Sequence, residues 1–210
     1  MRTLLSISLA LGFFMSQAQY DPEAKAVLDA MSNKYKSMNG FKAQFIQTIN
    51  NPSAGLEEEL EGNITVKGKR YKLDLLETQI FVNEDERWIY NAEFNEVMVV
   101  DVIPEEDEIT PGNIFDLYKD GFKYVLMSEM ANGDRVIELS PESLDKTYHK
   151  IRLIVDSRDA LKSFTIFEKT GTQYGYQIND FQEMSSLTDG FFNFDPSMYD
   201  GIRVEDFRSN

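Results

Sequence analysis

Leu56–Val66 reads LEEELEGNITV, and taken every second residue it separates into two different chains. Leu56, Leu60, Ile64 and Val66 fall on one parity, with Glu58 and Gly62 between them, while Glu57, Glu59, Glu61, Asn63 and Thr65 fall on the other. Alternation of this kind marks a strand with one dry and one wet face. Glu58 carries a charge onto the dry parity, so the Leu56 end is expected at a rim or bulge and the Val66 end deeper inside. What remains open is what the dry face covers: a packed core, or something the protein carries.

The same period governs most of the chain. Strands are expected at 41–49 (FKAQFIQTI), 56–67, 69–76, 79–83, 87–91 (RWIYN), 96–102, 122–129, 135–140, 148–155, 161–168 and 174–182. Turns such as Ala131-Asn132-Gly133-Asp134 and Asp156-Ser157-Arg158-Asp159 join neighbours, which implies an antiparallel meander and not a parallel sheet with crossovers. Two segments break the pattern. Asp21-Pro22-Glu23 is an N-cap, a proline at the first helical position and an acid in the first turn. Leu28, Met31, Tyr35 and Met38 then recur at helical spacing until Asn39-Gly40. Thr110-Pro111 repeats the cap pattern, and Ile114, Phe115, Leu117 and Tyr118 form a stripe closed by Gly121, which predicts a short amphipathic helix inserted in mid-sheet. About eleven antiparallel strands curl, and a barrel of that size is wider than its own side chains fill unless helices plug it.

Composition narrows the chemistry. The 210 residues are 42% hydrophobic and 12% aromatic, with a net charge of -15, as in an ordinary globular chain. The start, MRTLLSISLALGFFMSQAQ, has a basic residue, an apolar run shorter than a membrane span, and small residues at a cleavage point. This predicts a secretory signal peptide over 1–18 and one mature domain over 19–210. Arg2 is the only charged residue before the cut, so its removal takes -15 to -16. Such a surface repels nucleic acid and anionic lipid, and a charged partner would be basic. There is no cysteine, hence neither a disulfide framework nor a lipid-modified cysteine anchor. His149 is the single histidine and no G-x-S-x-G occurs, which leaves nucleophilic catalysis without its parts. The acidic runs 83–86 and 105–108 lack calcium-loop spacing. A paired-carboxylate hydrolase stays open only because 36 acidic residues must place some pair at a workable distance.

Several motifs follow one another in a familiar order. Phe41, Phe45 and Gln47 carry F-x-x-x-F-x-Q; GNITVKGKRYKLDL starts at Gly62; RWIYN contains W-x-Y; and Phe192-x-Phe194-x-Pro196 precedes Gly201-Ile202-x-Val204. Over nearly the whole mature chain this resembles the periplasmic lipoprotein carriers of Gram-negative bacteria, the LolA-like family. The resemblance implies an α+β fold: an unclosed antiparallel β-barrel of about eleven strands, with an N-terminal helix and a short inserted helix covering a hydrophobic concave face. It implies a soluble, monomeric periplasmic carrier with no enzymatic activity and no cofactor. Such a carrier takes acylated lipoproteins from an inner-membrane ABC transporter to an outer-membrane receptor. A lipid- or lipoprotein-sensing or scaffold protein of the same fold is the alternative. The expected acyl-binding cavity is lined by Ile64, Val66, Tyr71, Leu73, Leu75, Phe81, Trp88, Tyr90 and Val99, with Ile114, Phe115 and Leu117 on the inserted helix. The family often has Arg-Pro after the lysine of its second strand, the arginine holding the lid. Here Lys67 is followed by Gly68-Lys69-Arg70, so Lys69 or Arg70 is expected to take that role.

Overall fold

A computed structural model describes residues 20–103 and 108–209. The predicted signal peptide and residues 105–107 of the acidic run lie outside them. Helix α1 (Pro22–Ser37) begins where the capping pattern places it. The Asp21 carboxylate accepts from the Glu23 amide at 2.9 Å and the Ala24 amide at 3.4 Å, and its second oxygen accepts from the Leu126 amide at 2.9 Å. One aspartate thus caps the helix and fastens it to a strand.

Among the described residues twelve strands follow: β1 (Phe41–Asn51), β2 (Leu56–Lys67), β3 (Arg70–Leu75), β4 (Thr78–Val82), β5 (Glu86–Asn91), β6 (Glu96–Asp101), β7 (Phe122–Glu129), β8 (Arg135–Pro141), β9 (Tyr148–Val155), β10 (Leu161–Glu168), β11 (Gln173–Glu183) and β12 (Arg203–Asp206). They form one sheet in the order β12-β6-β5-β4-β3-β2-β1-β11-β10-β9-β8-β7. Two antiparallel meanders, β1–β6 and β7–β11, are therefore joined by the long ladder between β1 and β11, from Phe41 opposite Glu183 to Asn50 opposite Gln173. The edges β12 and β7 do not pair with each other, so the barrel stays open, and the expected architecture is found. Beyond the expected strands, β12 runs parallel to β6; four residues without alternation give no period to detect.

The concave side of the second meander is filled by α1. Ala24, Leu28 and Met31 are fully buried against Ile137, Leu139, Ile151 and Leu153. Because α1 occupies this half, the remaining space lies towards the first meander, beside the β1–β11 ladder. The inserted segment differs from expectation. In place of an amphipathic helix the chain makes successive tight turns over 111–116 and one 3-10 turn, Leu117–Lys119. Gly112 and Asn113 are poor helix formers. The Asn113 side chain also accepts from the Thr110 amide at 2.8 Å and donates to the Glu108 carbonyl at 2.7 Å, a local arrangement that competes with a helix.

The C-terminal segment covers the convex face. Phe192 is fully buried and Phe194 is 6% exposed. Phe194 and Tyr199 pack on Phe81 and Tyr90, with ring centroids 4.5–5.5 Å apart. Lys67 donates to the Leu187 carbonyl at 2.7 Å and pairs with Asp189 at 2.8 Å, which holds the segment's start against β2.

Candidate functional site

An apolar chamber of about 320 Å³ lies between the first meander and the inserted segment. Its floor is a row of directly opposed residues, Ile64, Leu73 and Ile80 on β2, β3 and β4, flanked by Tyr71 and Leu75. Phe41, Phe45 and Gln47 of β1, with Phe164, Ile166, Tyr176 and Ile178 of β10 and β11, make the second wall. Ile109, Pro111, Ile114 and Phe115 form the roof. Gly62 is part of this construction: a Cβ built there would stand 2.4 Å from Phe45 Cζ and 2.9 Å from the Asp74 carbonyl. Only glycine lets the Phe45 ring lie flat across the ladder.

Rings close one end. Tyr35 of α1 stacks on Phe115 at 3.7 Å and meets Phe41 edge-on at 5.5 Å. Burial pushes the Tyr35 phenol up to about 12, and its oxygen accepts from the Leu161 amide at 3.1 Å. The roof is tied to α1 by polar contacts at its far side. Ser32 and Lys119 each donate to Asp116 Oδ1 at 2.6 Å, and Lys36 reaches Oδ2 at 2.9 Å. Burial pushes the Asp116 carboxyl up, but the bonds from Lys119, Ser32 and Lys36 outweigh it and hold it at about 2. Tyr118 donates to Asp29 at 2.6 Å.

Polar groups within the chamber are few and occupied. Gln47 donates to the Tyr176 hydroxyl at 2.9 Å, and burial raises the Tyr176 phenol. Glu108, at the near end of the roof, accepts from Arg87 Nη2 at 2.8 and 2.9 Å. Both partners are only a quarter to a third exposed. Arg87 stands on β5 opposite Val82 of β4, so this ion pair joins the roof to the sheet.

The expected lining residues separate into groups. Ile64, Tyr71, Leu73, Leu75, Ile114 and Phe115 meet around the chamber. Val66 and Leu117 instead pack into the main core beside it. Phe81, Trp88, Tyr90 and Val99 are on the opposite face, in a separate core with Val97 and Phe194. Both parities of β4, β5 and β6 carry apolar residues, and the ladder decides between them: Phe81 opposes Trp88, and Trp88 opposes Val99, whereas Tyr71 opposes Val82 and Leu73 opposes Ile80. The aromatic parity is sealed by the C-terminal segment and does not reach the chamber. Arg70 also points to that side, pairing with Glu84 at 2.7 Å and Asp189 at 3.6 Å. Lys69 meets the roof through its backbone, next to Gly112. The ion pair that reaches the roof from the sheet is Arg87–Glu108. No periodic spacing connects residues 21 apart across a turn and a strand, so no local pattern signals it. The wall from β10 and β11 escapes sequence reading for a related reason: the β1–β11 ladder is long-range and no turn encodes it. His149 is exposed, in a β-bulge between Tyr148 and Lys150.

An open antiparallel half-barrel, with an apolar chamber beneath a strap of turns, is the class of protein that this geometry defines. Residues 36–195 match the model of the family described as outer membrane lipoprotein carrier protein LolA, and the chain belongs to that family. It is 25% identical to an outer-membrane lipoprotein carrier protein of Proteus mirabilis (strain HI4320), over 99% of this chain and all of the relative. An uncharacterized conserved protein from Thermus thermophilus shares the fold, with a TM-score of 0.51 at 14% identity over 88% of this chain and 99% of its own. A LolA superfamily protein from Nitrosomonas europaea superimposes with a TM-score of 0.45 at 13% identity, over 81% of this chain and 97% of its own. Among the described residues no helix is long and apolar enough to cross a membrane.

Proposed function

We propose that this protein is a periplasmic carrier that shelters the acyl chains of lipoproteins in the chamber and shuttles them from an inner-membrane ABC transporter towards the outer membrane. The observation that carries this reading is the chamber itself. Ile64, Tyr71, Leu73, Leu75, Ile114 and Phe115 converge on about 320 Å³ of apolar space that the chain's own side chains leave unfilled. Each methylene buried there recovers ~0.8 kcal/mol, which offsets removal of an acyl chain from the bilayer. Such contacts are non-directional, so the cargo can slide on to a receptor with no bond made or broken.

In this reading the strap is the gate. Its far side is clasped to α1 through Asp116, and its near side is pinned to the sheet by Arg87–Glu108, which takes the part expected of Lys69 or Arg70. The test is release of lipoprotein from inner-membrane vesicles, followed by mass spectrometry of the protein recovered without detergent. A one-to-one complex with acylated polypeptide is expected, and Leu73→Glu, which puts a charge on the chamber floor, should abolish it. Wild-type protein that releases no acylated cargo would overturn the carrier reading.

A further inference from the structure

The chamber floor does not end at the chamber. Ile64 opposes Leu73, Leu73 opposes Ile80, Ile80 opposes Ile89 and Ile89 opposes Met98. Directly opposed residues share a face, so these side chains make one aliphatic row crossing β2 to β6 on the concave side. Its first three members line the chamber, while Ile89 and Met98 lie outside it and belong to neither core among the described residues. Ile89 is half-buried and Met98, at the outer end, is 38% exposed. At the sheet edge the row stops at Glu205, which opposes Met98 from β12.

The dimensions select an occupant. Two inter-strand steps of ~4.8 Å carry the row ~10 Å from Ile80, at the chamber, to Met98. At β5 the row is flanked on the same parity by Arg87 and Asn91, which leaves a lane one side chain wide. An α-helix, ~10–12 Å across, would set its flanks on those polar groups, whereas an extended alkyl chain fits between them. The chamber is also small for its proposed cargo. An apolar cavity of ~150 Å³ takes a six-carbon ring, so 320 Å³ holds on the order of a dozen carbons, well short of two membrane chains.

We infer that the row from Ile80 through Ile89 to Met98 is a second acyl-chain subsite, an open track in which one alkyl chain lies crosswise on the sheet while another occupies the chamber. This rests on the carrier reading, and the experiment separates the two. Two probes are used: a fluorescent fatty acid with one chain, and a synthetic diacylglyceryl-cysteine peptide with two. Ile89→Asn and Met98→Gln alter half-exposed positions outside both cores. They should leave the one-chain probe's affinity within about twofold of wild type and weaken the two-chain probe about tenfold or more. Equal loss for both probes, or no loss for either, overturns the track. If wild-type protein binds neither probe, the carrier reading fails first. A photoreactive benzoylphenylalanine in place of Ile89 should crosslink to alkyl carbons of the two-chain probe; crosslinks to its peptide instead would assign the row to polypeptide and overturn the inference.

Discussion

The two faces of β4–β6 both carry apolar side chains in sequence and are opposite in fate. On the convex face Phe81, Trp88, Tyr90, Val97 and Val99 are each at most 8% exposed because Phe194 and Tyr199 cover them. On the concave face Ile80 and Ile89 are half-buried and Met98, next to the sheet edge, is 38% exposed. An apolar side chain becomes core when its own chain returns to cover it, and stays accessible when nothing does. Hydrophobicity alone does not separate the two, since the aromatic face is the one an observer would choose as a lipid site.

Breaking the sealed face should have the largest effect. Phe194→Ala removes a buried ring from between Phe81, Tyr90 and Tyr199, for a loss of about 3–5 kcal/mol, read as a lowered urea midpoint. The folded fraction should still bind a one-chain acyl probe with unchanged affinity. Loss of binding in protein that remains folded would mean that the two faces are not independent.

Gly62→Ala tests the open face from the inside. The added methyl meets the Phe45 ring and the fixed Asp74 carbonyl, and overpacking of this kind costs about 1–3 kcal/mol. Phe45 has to swing into the chamber, so here stability and probe affinity should fall together. A crystal structure of the variant with Phe45 unmoved would contradict that account of the glycine.

Much of this was legible in the sequence. The eleven antiparallel strands, α1 with its Asp21 cap, and the wet and dry parities of 56–66 all follow from local periodicity and turn chemistry, which act over a few residues. What local pattern could not supply was anything fixed by distant segments. The β1–β11 closure, the cover laid by Phe192 and Phe194, and the Arg87–Glu108 pair each depend on where the chain returns. That is why Ile64, Tyr71, Leu73 and Leu75, on strands that curl beside their own hairpin partners, meet at the chamber as expected, while Phe81, Trp88, Tyr90 and Val99 face away from it.

The clasp over the open face should respond to acid. Asp116 sits at about 2 in the folded protein against an ordinary 3.8, so its contribution is fully present above pH ~4 and is lost as pH falls towards ~2. The side chain is 39% exposed, and solvent screening limits the contribution to on the order of 1 kcal/mol. Urea midpoints of wild type and Asp116→Asn should therefore differ at pH ~7 and converge as pH approaches ~2. A difference that persists undiminished at the acid end would assign the stabilisation to something other than the carboxylate.

The smallest effect on stability belongs to the glutamates of LEEELEGNITV, for a reason specific to their position. Gly62 opposite Leu75 is the last rung between β2 and β3, so residues 56–61 extend past β3 and pair only with β1. That overhang is a bare strand edge where neither the sealed nor the open face exists, and Glu57, Glu58, Glu59 and Glu61 are all exposed along it. No cation opposes them: their partners on β1 are Asn50, Ile49, Thr48 and Ile46. Charges on an unpaired edge oppose pairing with a second copy. Replacing Glu57, Glu59 and Glu61 together with Gln should leave the urea midpoint within about 0.5 kcal/mol and acyl-probe affinity unchanged, yet raise self-association in sedimentation velocity. Weakened probe binding with no change in association would put these side chains on the chamber side and reverse the assignment of faces along β2.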